Sequence, residues 1–150
     1  MRLTSFTDYT LRTLLHLAAD ETRMVTVQDL AREHGIPRNH LTKVVFTLGR
    51  MGLVETVRGR NGGFRLRQSP EDICIGDVVR LVEADFHMAA CFVAASDCSF
   101  STRCGLQQVL RRATQAYLGE LDRHTLATLT QDAPQVFPLR RLRAALPDAE

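Results

Sequence analysis

The sequence predicts a mainly α fold: a winged helix-turn-helix with a two-stranded wing, followed by a long C-terminal dimerisation helix. Three observations predict it. A short candidate helix stops at Gly35 and an amphipathic one opens at Pro37, the helix-turn-helix order. Two β-prone runs flank the glycine-rich stretch from Gly59 to Gly63, as in a hairpin. From 105 to 129 apolar residues recur every three or four positions, which marks one long helix. A length of 150 residues allows one domain, or one small domain with an extension. The chain divides into a winged helix-turn-helix at 1–68, a cysteine-bearing loop with the dimerisation helix at 69–130, and a tail at 131–150.

Each element follows from local signals. Three helix starts place a hydroxyl residue three positions before an acid: Ser5 and Asp8, Thr26 and Asp29, Ser69 and Asp72. Each predicts a capping box, in which hydroxyl and carboxylate satisfy backbone N–H groups left open at a helix start. The first helix is predicted over 6–19, with Phe6, Leu14, Leu15 and Ala18 as its apolar stripe. The second covers 27–34, and the third runs from 37 to about 52. Plotted at about 100° per residue, Leu41, Val44, Val45, Leu48 and Met51 share one side of the third helix. Asn39, Lys43, Thr47 and Arg50 share the other, flanked by His40 and Thr42. Phe46 lies on the polar side, and two readings stand: packing under the next segment, or contact with DNA. The wing strands are 53–58 and 64–67. A fourth helix is predicted over 73–85, a loop over 86–103 and the long helix over 105–129, striped by Leu106, Leu110, Ala113, Tyr117 and Leu121. The tail holds Pro134, Pro138 and Pro147 and reads as loosely ordered.

Composition excludes several classes. Hydrophobic residues at 45% and charged residues at 24% describe a globular chain, neither disordered nor collagen-like. No run approaches the roughly 20 apolar residues of a membrane span. The first residues lack an apolar signal core, so a cytoplasmic protein is expected. The net charge of +2 hides an asymmetry: residues 1–70 carry +5 and residues 71–150 carry −3. Within 38–67, seven basic residues face the single acid Glu55. That imbalance fits a nucleic-acid surface on the first half, and equally a solvated basic face.

The helix order, the amphipathic third helix and the basic hairpin agree on duplex DNA as partner. Arg38, Asn39 and His40 stand where a recognition helix reaches bases, with Lys43 one turn on. Arg38 suits guanine and Asn39 suits adenine. Lys43, Arg50 and the wing residues Arg58, Arg60, Asn61 and Arg65 suit the DNA backbone. The wing glycines are not read as a phosphate-binding loop, because no Gly-Lys-Ser/Thr follows them.

Cys91, Cys98 and Cys104 fall within 14 residues, which points to metal or redox chemistry in a reducing compartment. Their spacing matches neither zinc ribbons nor ferredoxins. Spacing alone leaves an iron–sulfur cluster, zinc and redox-sensing thiols open. Cys74, between Ile73 and Ile75, reads as a small buried core residue. His16 and His124 read as surface or packing residues, and His87 borders the cysteine loop as a candidate ligand. No Ser-His-Asp or paired-carboxylate arrangement stands out, so an enzyme is not expected.

The segments LTSFTDYTLRTLLHLA, IPRNHLTKVV, VRGRNGGFRL and IGDVVRLVE, followed by three cysteines, resemble the Rrf2 family of winged-helix transcription regulators. CGLQQVLRRATQAYLGELDRHTLATL is similar to its NsrR branch, the nitric-oxide-sensitive repressors. The resemblance spans roughly 1–130. It implies a homodimer on a palindromic double-stranded operator, with one iron–sulfur cluster per subunit on Cys91, Cys98 and Cys104. The implied cluster is 4Fe–4S, with 2Fe–2S as the alternative, and Asp8 of the other subunit as fourth ligand. As read from the residues alone, Asp8 instead completes the capping box with Ser5. The first cysteine interval is longer by a residue or two than in many members. The IscR branch uses a histidine three residues after the third cysteine; here that position is Gln107, which favours the NsrR branch. The implied function is a repressor whose cluster senses nitric oxide, nitrosylation releasing the operator and derepressing detoxification genes. Two alternatives stand beside it: an iron- or redox-responsive Rrf2 regulator reporting cluster occupancy, and a small electron-transfer iron–sulfur protein that binds no DNA.

Overall fold

A computed structural model of the chain describes residues 2–59, 62–92 and 104–131. Its elements run α1 (Ser5–Ala19), α2 (Val27–His34), α3 (Arg38–Arg50), β1 (Val54–Val57), β2 (Gly63–Leu66), α4 (Ile75–Val82), α5 (Gly105–Leu121) and α6 (Leu126–Gln131). Short 3-10 turns occupy Pro70–Asp72 and Ala90–Phe92. The fold is the mainly helical one expected, with a two-stranded antiparallel wing. Among the described residues no helix is long and apolar enough to cross a membrane.

The helix-turn-helix forms as its caps dictate. The Asp29 N–H donates to Thr26 Oγ1 at 3.1 Å, and the Thr26 N–H donates to the Asp29 carboxylate at 3.2 Å. Gly35 then takes φ 65°, a left-handed turn that a residue with a Cβ adopts only at a cost of about 1–2 kcal/mol. Pro37 caps α3, which buries Leu41, Val44, Val45 and Leu48 and leaves Asn39, Lys43 and Arg50 exposed.

The wing pairs Val54 with Leu66 and Val57 with Gly63. A further bridge joins Phe64 to Val25, with N–H to carbonyl distances of 3.0 and 2.9 Å. Gly63 permits that bridge, since a Cβ there would stand 2.6 Å from the Val25 carbonyl oxygen. The buried Phe64 side chain fastens the hairpin to the core.

Three expectations are corrected. First, the cap of α1 is Thr4, not Ser5. The Thr7 N–H donates to Thr4 Oγ1 at 3.3 Å, and Asp8, one position too late for the box, pairs instead with Arg12 at 3.6 Å. The buried side of α1 also contains Thr7, Thr10 and Thr13 beside Leu14 and Leu17. The Thr10 and Thr13 hydroxyls donate to the carbonyls of Phe6 and Tyr9 at 2.8 and 2.7 Å, so they are buried without losing a partner.

Second, the helix predicted over 73–85 spans only Ile75–Val82. Ser69 does not cap a helix there; its hydroxyl bonds the Glu71 carboxylate beside the 3-10 turn. Ile73 and Ile75 are both buried with Cys74 between them, the period-two signature of extended chain. Residue 74 bridges Thr125: the Ile75 N–H donates to the His124 carbonyl at 3.0 Å and the Leu126 N–H to the Ile73 carbonyl at 2.9 Å. Cys74 is therefore half-exposed, not buried.

Third, the single helix predicted over 105–129 is two. α5 ends at Leu121, where Asp122 forms a two-pronged ion pair with Arg80 of α4, the Nη2 arm at 2.7 Å. Gly76 leaves the space that the Asp122 carboxylate fills. The chain then turns and α6 sends Leu126, fully buried, into the same core as Leu14, Ile73 and Val79. Of the predicted stripe, Leu110, Tyr117 and Leu121 are half-buried while Leu106 and Ala113 are exposed. The predicted tail lies outside the described residues beyond Gln131.

Candidate nucleic-acid interface and cysteine site

Asn39, Lys43, Phe46 and Arg50 recur at helical spacing on α3, within an arc of about 60°. All four are exposed, on the side opposite the buried Leu41 and Leu48. Arg38 and His40 flank the stripe at the helix start. The His40 ring lies edge-on to Tyr9 of α1, centroids 5.8 Å apart, so α1 steers that imidazole. Sequence reasoning missed Tyr9, because no local pattern pairs it with a residue 31 positions away. No side chain caps α3, and the His40 N–H in its first turn donates to the Pro37 carbonyl at 3.0 Å.

On the wing, Arg58 is exposed at the end of β1. Arg65 is held by its cross-strand neighbour Glu55, Nε to Oε1 2.6 Å, both side chains part-exposed. Such a surface pair contributes about 0–1 kcal/mol, little enough for a phosphate to displace the carboxylate. Arg60 and Asn61 at the wing tip lie outside the described residues.

Of the three clustered cysteines, Cys91 sits on the Ala90–Phe92 turn and Cys104 caps the start of α5, both half-buried thiols. Cys98 lies outside the described residues. The Gln107 amide on the first turn of α5 donates to the Cys91 carbonyl at 3.0 Å, which ties the two thiol-bearing segments together. His87 stacks on Phe92, centroids 6.4 Å apart. Two thiol-bearing segments tied together, with a third cysteine between them in the sequence, offer the kind of donor an iron–sulfur cluster takes. Asp8 is exposed on α1. Its partner Arg12 also donates to the His34 carbonyl at the end of α2, at 3.0 Å, which links Asp8 to the helix-turn-helix. Among the described residues, ligand atoms of metal-binding type also converge at Cys74, Asp77 and Asp122. Arg80 occupies that group, pairing with both carboxylates and holding the Asp122 carboxyl below its ordinary range.

His16, read as a surface or packing residue, is buried between α1 and α2. Its Nδ1 shares a 3.1 Å hydrogen bond with His34 Nε2 and stands 3.5 Å from the Glu33 carboxylate. Burial lowers the pKa of both imidazoles, a loss that Glu33 only partly offsets.

Comparison with known proteins gives the family of the chain. The model of the Rrf2 family, described as iron-dependent transcriptional regulator, matches residues 3–132. The chain is 44% identical over 145 residues to the HTH-type transcriptional regulator NsrR of Bacillus subtilis, covering 95% of this chain and 99% of that one. It is 41% identical, with the same coverage, to the NsrR of Geobacillus kaustophilus. Among solved structures, oxidised CymR of Staphylococcus aureus superposes with a TM-score of 0.72 at 27% identity, covering 87% of this chain and 96% of that one. IscR of T. potens gives 0.71 at 22% identity, covering 99% and 94%, which speaks for the fold alone. These relatives are regulators and not enzymes. With its winged helix-turn-helix and a family match over nearly the whole described length, the chain belongs to the Rrf2 family of transcription regulators.

Proposed function

We propose that this chain is a repressor that binds a palindromic operator as a homodimer and releases it in response to nitric oxide. In this reading Cys91, Cys98 and Cys104 hold an iron–sulfur cluster, 4Fe–4S in preference to 2Fe–2S, with Asp8 of the partner subunit as fourth ligand. When bound, the cluster supplies iron that reacts with nitric oxide. The observation that carries the reading is the Gln107 bond to the Cys91 carbonyl, which ties the segment bearing Cys91 to the start of α5, where Cys104 stands. The likeness to NsrR regulators supports it.

The residues of the chain divide the work. Residues 1–68 meet DNA: Arg38, Asn39 and His40 face bases, while Lys43, Arg50, Arg58, Arg60, Asn61 and Arg65 face the backbone. α5 buries none of its residues within one chain, and Leu106 and Val109 are 65% and 51% exposed. A second copy covers that side, which fixes the separation of two recognition helices, about 34–36 Å for half-sites one turn apart. Asp8 reports to the reading helices through Arg12 and the His34 carbonyl. Losing its ligand role frees α1 to shift against the partner subunit.

Anaerobic native mass spectrometry tests subunit number and cluster mass together, and a mobility-shift titration with nitric oxide tests the release. A dimer carrying iron and sulfide that loses its operator on titration is expected. A colourless protein with equal affinity before and after nitric oxide overturns the switch. The family description as iron-dependent favours a second reading, in which cluster occupancy itself is the signal. An iron chelator that releases the operator under conditions where nitric oxide does not would select that reading.

A further inference from the structure

Phe46 is the residue of α3 that neither the core nor the polar contacts account for. Its side chain is 66% exposed, although its neighbour Val45 is buried. It lies at the centre of the stripe formed by Asn39, Lys43 and Arg50, with Lys43 one turn before it and Arg50 one turn after. An exposed phenyl ring flanked by two cations suits a partner that both attracts the cations and offers the ring an apolar surface. The major groove of B-DNA does both. It admits an α-helix between two rows of phosphates, and the apolar group it displays is the C5-methyl of thymine. A protein partner or a second copy of this chain offers the ring apolar surface but gives Lys43 and Arg50 nothing in particular.

We infer that Phe46 reads a thymine methyl in each operator half-site, a contact that makes it a specificity-determining residue of the recognition helix. The inference rests on the DNA-binding reading above. Phe46 stands seven residues after Asn39, about 10 Å along the helix axis, so it reaches a different base pair from the one facing Asn39. Burying one methyl group against the ring should change affinity about fourfold.

The test uses the full chain, prepared anaerobically, to select duplexes from a randomised pool. Each thymine of the selected duplex is then replaced singly by deoxyuridine, which removes the methyl group and keeps the base pairing. One position per half-site should lose about fourfold in affinity with the native chain. Phe46→Ala should lose that discrimination, while Phe46→Leu keeps part of it. Because the ring is exposed, both variants should melt with the native chain. If every deoxyuridine duplex binds as the parent does, or if the loss is the same in Phe46→Ala, the methyl contact is overturned while DNA binding stands. A change in oligomeric state on Phe46→Ala without DNA would assign the ring to a subunit contact and also overturn it. If no duplex is selected at all, the DNA-binding reading falls and the inference with it.

Discussion

Replacing Arg58 by alanine should change how DNA affinity depends on salt more than it changes which sequence is preferred. Among the described residues Lys43, Arg50 and Arg58 make no ion pair, whereas Arg65 is engaged by Glu55. The five cations assigned to the DNA backbone, Lys43, Arg50, Arg58, Arg60 and Arg65, doubled in the proposed dimer, release about ten counterions. They give a slope of log affinity against log salt of about −9. Between 50 and 200 mM salt that amounts to a loss of about 10⁵-fold in affinity. Arg58→Ala removes one contact from each subunit, so the slope should fall to about −7. Binding should weaken by a similar factor on matched and scrambled duplexes. Fluorescence anisotropy on both duplexes across that salt range measures the slope and the specificity ratio together. Asn39→Ala is the contrast, expected to cost about 1–3 kcal/mol on the matched duplex alone and to leave the slope unchanged. An Arg58→Ala slope equal to that of the native chain would refute the phosphate role of the wing.

The other predictions concern stability and the cofactor. Leu126→Ala empties a fully buried site shared by α6 and α1 and should cost about 2–5 kcal/mol, read by urea denaturation. A cost below about 1 kcal/mol would mean that α6 does not share the core. Since burial holds the His16 and His34 pKa values below the ordinary histidine range, the unfolded chain binds more protons than the folded one at mildly acidic pH. Stability should therefore be level above pH about 6.5 and fall as pH drops below it, by at most about 1.4 kcal/mol per pH unit for His16. His16→Gln should flatten that fall in melting curves taken at pH 5–8. Asp8→Ala should leave the apo melting temperature essentially unchanged, because Asp8 does not cap α1 and its pair with Arg12 is exposed. The same change should shorten cluster lifetime several-fold in absorbance decay, and an unchanged lifetime would remove Asp8 from the ligand set.

The elements legible in the sequence are those whose signals are local. The Thr26–Asp29 box, Gly35, Pro37 and the apolar side of α3 all act within a turn or two, and α2 lies where they place it. The wing was legible for the same reason. What the sequence concealed depends on residues far apart. The helix end at Leu121 is made by Asp122 reaching Arg80, 42 positions earlier. Two weaker signals were present: the alternation of Ile73 and Ile75, and the reciprocal Thr125 and Thr128 cap that opens α6, with bonds of 3.1 and 3.4 Å. In the candidate site, the exposure of Asn39, Lys43 and Arg50 could be read from helical angles. The engagement of Arg65 by Glu55, the packing of Tyr9 on His40 and the Arg12 bond to His34 needed the folded chain.

The Val25–Phe64 bridge means that the hairpin borrows its aim from the segment leading into α2. Wing and recognition helix consequently travel as one casting, and neither can search the duplex while the other stays docked. A signal transmitted to this half of the molecule must tilt or translate the whole reading block. Control of such a regulator therefore lies in how far apart two blocks are parked, with no folding or unfolding of a wing required.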